Sequence, residues 1–176
     1  MKIGLCGTVS VGKTTLVKAL AELPQFQDYK IATERSKYLR DLGIPLNTDS
    51  TMKGQTVFLA ERISELMYED VLTDRTIIDV MAFTECSSTI NQTDKNKFRI
   101  YTSSFIKEYD YIFYISPKGV EIEDNGIRET DSLYRTKIDN TITSILNVYE
   151  HECDNVHTIS GTTEERIKSI LEILSL

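Results

Sequence analysis

Along this chain short apolar runs alternate with stretches whose apolar residues return every three or four positions, and each change of period predicts a change between strand and helix. Lys2-Ile3-Gly4-Leu5-Cys6 is fit for a buried strand, and Leu16, Val17, Leu20 and Leu23 follow at helical spacing. Leu23-Pro24 breaks that helix. Tyr29 to Thr33 predicts a second strand ending in Glu34-Arg35, and a helix through Tyr38 and Leu39 to Asp41 is stopped by Gly43 and Pro45. Leu46 to Lys53 is polar and reads as a loop, after which a helix from Gly54 carries Leu59, Ile63, Leu66 and Met67 on one face. Val71 to Arg75 predicts a third strand with Asp74-Arg75 at its carboxyl end, Thr76 to Val80 being the alternative. Helical sequence runs from about Ala82 to Glu108 with a break near Asn91 to Asn96, and Asp110 to Ser116 carries the strongest strand signal, ended by Pro117. Beyond an acidic, glycine-bearing segment from Lys118 to Thr130, Asp131 can cap a helix whose face is Ile138, Ile142, Ile145, Leu146 and Tyr149. Val156 to Ser160 is a last strand, and Gly161 turns into a helix buried through Ile167, Ile170, Leu171 and Leu174.

The first strand-to-helix junction carries chemistry. Gly7-Thr8-Val9-Ser10-Val11-Gly12-Lys13-Thr14 fills the pattern G-x-x-x-x-G-K-[ST]. The glycines let successive backbone N–H groups turn into one concavity, and the helix opening at Lys13 adds the positive end of its dipole, so an anion of phosphate size belongs there. Lys13 would reach the β- and γ-phosphates as a mobile charge, the Thr14 hydroxyl would take a position on Mg²⁺, and Thr15 continues the helix with an optional α-phosphate contact. The pattern as a whole predicts an α/β P-loop NTPase sandwich of three layers, with a five-stranded, mainly parallel sheet and helices on both faces. Ligands of such a sheet bind beyond the carboxyl ends of its strands, so Gly7, Glu34, Asp74, Ser116 and Ser160 are expected around one cleft.

Composition narrows the class. The 176 residues suit one domain, 1–176, with a lid segment at about 118–136. The loop starts six residues in, and no apolar run reaches the length of a membrane span, so neither a signal peptide nor a membrane partner is expected. Cys6, Cys86 and Cys153 have no C-x-x-C spacing and read as reduced thiols of a cytoplasmic protein, Cys6 as a small buried strand-end residue. A net charge of −7 argues against an extended nucleic-acid surface while leaving room for a local basic pocket.

Moving a γ-phosphoryl group needs placed cations more than a covalent nucleophile. Lys13, Mg²⁺, Arg128 and Arg135 can supply them, the two arginines lying where a flap would close over phosphates; pairing with Glu121, Glu123, Asp124 or Asp131 is the alternative. Asp74 can hold the metal or take a proton from an acceptor hydroxyl, with Glu34 doing the other job. Glu34 can instead complement a helix dipole, and Asp79 can cap the helix starting near Val80. His151 and His157 read as surface or packing residues.

With these residues placed, the chain resembles the NadR-like ATPase and kinase domains, including the ribosylnicotinamide kinase domain, among the small P-loop nucleoside and nucleotide kinases. The carrying stretches are Gly7 to Leu16, Glu34, Asp74-Arg75-Thr76-Ile77-Ile78-Asp79-Val80-Met81-Ala82-Phe83, similar to D-R-x-x-x-D-x-x-A-[FY], and Asp124-Asn125-Gly126-Ile127-Arg128 with Arg135, similar to a D-G-x-R lid. Gly161 to Arg166 resembles the closing turn and helix of that set. The resemblance implies ATP as donor, Mg²⁺ as cofactor and a small nucleoside or nucleotide as acceptor. By it, Glu34 and Arg75 contact the acceptor, with Gln55 and Asp79 as further substrate-side candidates, Arg128 and Arg135 clamp phosphates, and Gly161 and Thr162 face the adenine. Asp74-Arg75 is also similar to thymidylate and deoxynucleoside kinases, which leaves nucleoside against monophosphate open.

The expectation is therefore an ATP-dependent kinase of a nucleoside or nucleoside monophosphate, the nucleoside preferred because a carboxylate such as Glu34 would repel a monophosphate. A thymidylate-type kinase, a kinase of modified DNA bases and a nucleotide-dependent switch are the alternatives, and a homodimer is left open. The switch would need N-K-x-D, whereas Asp94-Lys95-Asn96-Lys97 has the wrong order; a full AAA+ motor would need a helical lid domain for which the chain has no residues to spare.

Overall fold

The computed structural model describes residues 1–33, 36–119 and 132–176. Strands β1 (Lys2–Cys6), β2 (Lys30–Ala32), β3 (Val71–Asp74), β4 (Tyr111–Ile115) and β5 (Val156–Ile159) form one sheet in the order β2-β3-β1-β4-β5. Every pairing is parallel, with Leu5 beside both Asp74 and Phe113. The connections are helical: α1 (Lys13–Ala21), α2 (Ser36–Asp41), α3 (Met52–Glu65), α4 (Ile77–Cys86), α5 (Gln92–Ser103), α6 (Ser132–Val148) and α7 (Thr163–Leu174).

Successive strand residues face opposite layers, and the two apolar clusters divide accordingly. Ile3, Leu5, Phe113 and Ile115 pack with Leu16, Val17 and Leu20 of α1 and Ile170 and Leu174 of α7. Cys6, Ile112 and Tyr114 look the other way, into Leu59 of α3, Ile77 to Ala82 of α4, Phe98 of α5 and Ile138, Ile142 and Ile145 of α6. This is the predicted three-layer sandwich, and the sheet is parallel throughout rather than mainly so.

Three expectations are corrected. The helix after β3 starts at Ile77, not near Ala82, because Thr76 and Asp79 form a capping box around its first turn; the apolar Ile77-Ile78 that suggested a strand is a buried first helical turn. The break between α4 and α5 falls over residues 87–91, just before the expected segment, because Asn91 caps α5. Helix α3 begins at Met52 under a Thr51 cap and ends at Glu65, which leaves Met67 exposed rather than on the buried face. On α7, Ile167 and Leu171 are half-buried, and the fully enclosed face includes an arginine, Arg166. No helix among the described residues is long and apolar enough to cross a membrane.

Candidate active site

All five strands point their carboxyl ends the same way, and β1 lies between β3 and β4, so the loop after β1 occupies the middle of that edge. Gly7 and Gly12 have φ values of 150° and 81°, and Ser10 also sits at positive φ. At Gly7 a side chain is excluded outright, since a Cβ there would lie 2.8 Å from the Ile115 carbonyl oxygen. At Gly12 the left-handed conformation is the N-cap of α1, the turn that converts strand direction into helix direction. Thr8, Val9, Ser10 and Val11 are buried between them.

The loop is held from three sides. The Gly7 N–H donates to Asp79 Oδ1 at 3.2 Å, while Asp79 Oδ2 accepts from the Thr76 N–H at 2.8 Å, so one carboxylate ties the loop to the start of α4. The Thr8 hydroxyl donates to the Arg135 carbonyl at 2.9 Å, tying the loop to α6. Arg166 donates from Nη1 to the Val11 carbonyl at 2.6 Å, tying it to α7. Lys13, itself buried, lies along the loop and donates from Nζ to the Gly7 and Thr8 carbonyls at 2.6 and 2.8 Å. Burial, and then the neighbouring positive charge of Arg75, lower its pKa to about 8; Asp79 and Asp74 oppose the shift.

Beside the loop, Thr14 donates its hydroxyl to the Asp74 carboxylate, joining the first turn of α1 to the end of β3. A hydroxyl and a carboxylate side by side are the hard oxygen donors that suit Mg²⁺, an ion that takes few protein ligands and completes its shell with water and phosphate oxygens. Among the described residues no cluster of three or more His, Cys, Asp or Glu side chains is placed to hold a metal. Asp74 is buried, and its carbonyl accepts from Arg62 Nη1 at 3.0 Å; Arg62 is also buried and pairs through Nη2 with Glu65 at 2.6 Å.

Arg75 follows with φ 92°, a conformation that a non-glycine residue holds at a cost. Its N–H donates to the Leu5 carbonyl at 3.0 Å, its carbonyl accepts from the Thr73 hydroxyl at 2.8 Å, and its guanidinium stands 4.8 Å over the Phe83 ring and 3.7 Å from Asp79. Gln55 is buried near the start of α3, two turns before Arg62 on the same helix, about 10 Å along the axis.

The structure thus brings together Gly7 to Thr14, Asp74, Arg75, Asp79 and the backbone of Arg135. Thr15 is exposed on α1. Of the two readings of Asp79, its contacts are those of the cap, shared with the loop. Gly161, at φ 96°, and Thr162 stand at the start of α7, where the Thr162 hydroxyl and Glu165 form a capping box one turn from Arg166. Ser116 and Ser160 end β4 and β5 on the same edge. Glu34, Arg128 and most of the expected lid lie outside the described residues. Cys6 is buried as expected, its thiol raised by burial and then by Asp79; Cys86 and Cys153 are likewise buried and free. His157 stacks on Tyr111 and His151 is at the surface.

Three participants carry little sequence signal of their own. Arg62 looks like an ordinary charged helix position, and Arg166 is marked only as the last residue of the Gly161 to Arg166 stretch, with no role assigned to it. Asp139, one turn after Arg135, accepts from the Tyr114 hydroxyl at 2.8 Å, and burial raises its pKa against the pull of Arg135 and Lys13.

The fold has counterparts. Deoxyadenosine kinase from M. mycoides with bound dCTP superposes with a TM-score of 0.71 at 18% identity, over 99% of each chain. NadR protein in complex with NAD and AMP-PNP gives 0.72 at 15% identity, with 99% of this chain spanning 49% of that one. Thymidylate kinase from Ehrlichia chaffeensis gives 0.61 at 17% identity over 99% and 97% of the two chains. At such identities the likeness is one of fold, and it is the fold of the small kinases that the motifs resemble. No curated protein matches the sequence. The model of the AAA domain family matches residues 2–166, from β1 into α7, and its described residues all lie in the one sandwich. A match over most of the chain shows the lineage: the chain belongs to the AAA domain family.

Proposed function

We propose that the protein is an ATP-dependent phosphotransferase that moves the γ-phosphoryl group to a nucleoside or nucleoside monophosphate, on the ribosylnicotinamide kinase pattern. The observation that carries this reading is the Thr14–Asp74 contact beside the amide nest, which pairs a phosphate grip with a metal seat at one strand junction. Thr14 and Asp74 would hold Mg²⁺, which when bound adds positive charge to the β- and γ-phosphate oxygens. The loop amides and the α1 amino end bind the polyphosphate and orient it. Lys13 exchanges its two carbonyl partners for phosphate oxygens. Arg75, aimed by Phe83 and Asp79, serves the acceptor side with Gln55. Arg135 and Arg128 close over the phosphates and exclude water, and Gly161 and Thr162 border the base. Glu34 takes the proton of the acceptor hydroxyl, which makes a nucleoside the favoured acceptor.

The structural relatives, kinases of deoxyadenosine and thymidylate and a NadR protein bound to AMP-PNP, support the same class. The test is a panel of nucleosides and nucleoside monophosphates incubated with ATP and Mg²⁺, with ADP and phosphorylated product both measured. A nucleoside is expected to react, and the reaction to stop on removal of Mg²⁺. Tight ATP binding with no product from any acceptor would leave a nucleotide-dependent binding module instead.

A further inference from the structure

Among the described residues Arg166 is a buried cation without a counter-charge. Its guanidinium is on the first turn of α7, 4% of the residue is exposed, Nη1 donates to the Val11 carbonyl, and Nε has no hydrogen-bond partner among the described residues. The neighbouring carboxylate, Glu165, is engaged with the Thr162 N–H. Burial lowers the Arg166 pKa, and among the described residues no acidic group opposes it. An arginine enclosed in this way is expensive to keep unless it serves something the protein alone does not contain.

Its contact suggests what. In a planar trans peptide the carbonyl oxygen and the next N–H point in opposite directions. Drawing the Val11 oxygen outward toward α7 therefore turns the Gly12 N–H inward, into the concavity that the other loop amides face. Among the described residues no other hydrogen bond fixes that peptide: Asp79 holds the Gly7 N–H, and Lys13 holds the Gly7 and Thr8 carbonyls.

We infer that Arg166 is a positioning residue for nucleotide binding: it sets the Val11–Gly12 peptide so that its N–H meets phosphate, and its unpaired charge is balanced by the polyphosphate of the bound nucleotide. This rests on the proposed nucleotide site and adds to it a determinant of donor affinity, supplied from the far end of the chain. Arg166 touches no reacting atom, so its effect belongs to nucleotide affinity and not to the chemical step.

The test is calorimetric titration of the whole protein with MgADP and MgATP, without an acceptor, alongside thermal unfolding of the ligand-free protein. Arg166→Met keeps the volume and removes donor and charge. It should weaken binding of both nucleotides by about tenfold or more. The ligand-free melting temperature should change little, because relief of an uncompensated buried charge offsets loss of the donor to the buried Val11 carbonyl. Arg166→Lys, which keeps the charge, should recover part of the affinity, and Arg166→Gln takes the place of the methionine variant if that one does not fold. Equal binding by wild type and variant would overturn the inference while leaving the nucleotide site intact. So would a fall in ligand-free stability large enough to account for the lost affinity, whereas failure of the wild type to bind either nucleotide would overturn the site and the inference together.

Discussion

Two turns stand side by side at the head of the sheet, one after β1 and one after β3, and they are held in opposite ways. The loop from Gly7 to Gly12 meets its conformational demands mainly with glycine and takes its support from distant side chains: Asp79 from α4, Arg166 from α7 and Thr8 reaching the backbone of α6. The turn at Asp74-Arg75 puts an arginine where glycine would be easier, and surrounds it with contacts. A phosphate nest needs backbone, so its side chains are dispensable and glycine serves. On the proposed function the acceptor side needs a guanidinium at a fixed point, so the strain of a left-handed arginine is tolerated and over-determined by its neighbours. Backbone recognition and side-chain recognition would then divide the two strand ends between them.

The largest effects should come where the two turns touch. On the proposed function Lys13→Ala removes a cation that grips the phosphates and Asp74→Ala a carboxylate that would hold Mg²⁺, and kcat/KM should fall by about a thousandfold or more in either case. The two should differ in their metal response. Asp74→Ala should raise the Mg²⁺ concentration needed for half-maximal rate, and Lys13→Ala should leave it unchanged. A titration of rate against Mg²⁺ with the acceptor found in the panel checks this, and identical Mg²⁺ curves would remove Asp74 from the metal seat.

The donor turn was legible in the sequence because its determinants are local: eight consecutive residues carry the glycines, the lysine and the threonine, and the flanking periods mark strand and helix. Asp74 was legible for a related reason, since a carboxylate at the end of an apolar run in a parallel sheet has to fall on the ligand edge. The supports were not. Arg166 and its partner Val11 are 155 positions apart, Asp139 and Tyr114 are 25 apart, and neither pair disturbs a local pattern. Asp79 shows the intermediate case. A cap was among its readings, but Ile77-Ile78 placed the helix start too late, and its second oxygen on Gly7 could come only from the packing of α4 under β1. The roles expected of Glu34 and Arg128 rest on motif position alone.

Asp79 and Arg166 anchor the same loop, and the next largest effect separates them. Asp79→Ala deletes a helix cap and leaves the Gly7 and Thr76 N–H groups buried without their acceptor, a loss of about 2–4 kcal/mol in unfolding free energy. Urea unfolding measures it. Asp79 should prove a stability residue whose loss lowers the midpoint, whereas Arg166→Met should lower only nucleotide affinity. If Asp79→Ala unfolds like wild type, the contrast between a structural anchor and a ligand anchor fails.

Lys13 joins the two turns electrically, since Arg75 is the second cause of its low pKa after burial. The charged form grips phosphate, so nucleotide affinity should fall as pH rises through about 8, by about tenfold from pH 7 to 9. Stability moves the other way. Between about 8 and the unfolded lysine value of about 10.4 the unfolded chain binds more protons at this site than the folded one, so this group's contribution to stability increases with pH. Arg75→Ala should shift the affinity inflection upward by removing a like charge. Calorimetric binding across that range in wild type and Arg75→Ala reads the shift, and coincident inflections would mean that the turns are not coupled through Lys13.

The smallest effect bears most directly on the difference between the turns. At φ 92° an L side chain is disfavoured by about 1–2 kcal/mol relative to glycine, which recovers part of that on folding after its own entropy cost. Arg75→Gly and Arg75→Ala lose the same cation–π contact with Phe83 and the same approach to Asp79, so those terms cancel between the two variants. What remains is backbone. Arg75→Gly should be more stable than Arg75→Ala by about 1 kcal/mol in urea unfolding, while both lose phosphoryl transfer to the same extent. Such a result would mean that the arginine is kept for its side chain against the preference of the chain. Equal stabilities, or a more stable alanine, would place the turn in an unstrained conformation and dissolve the distinction between a turn built for backbone and one built for a guanidinium.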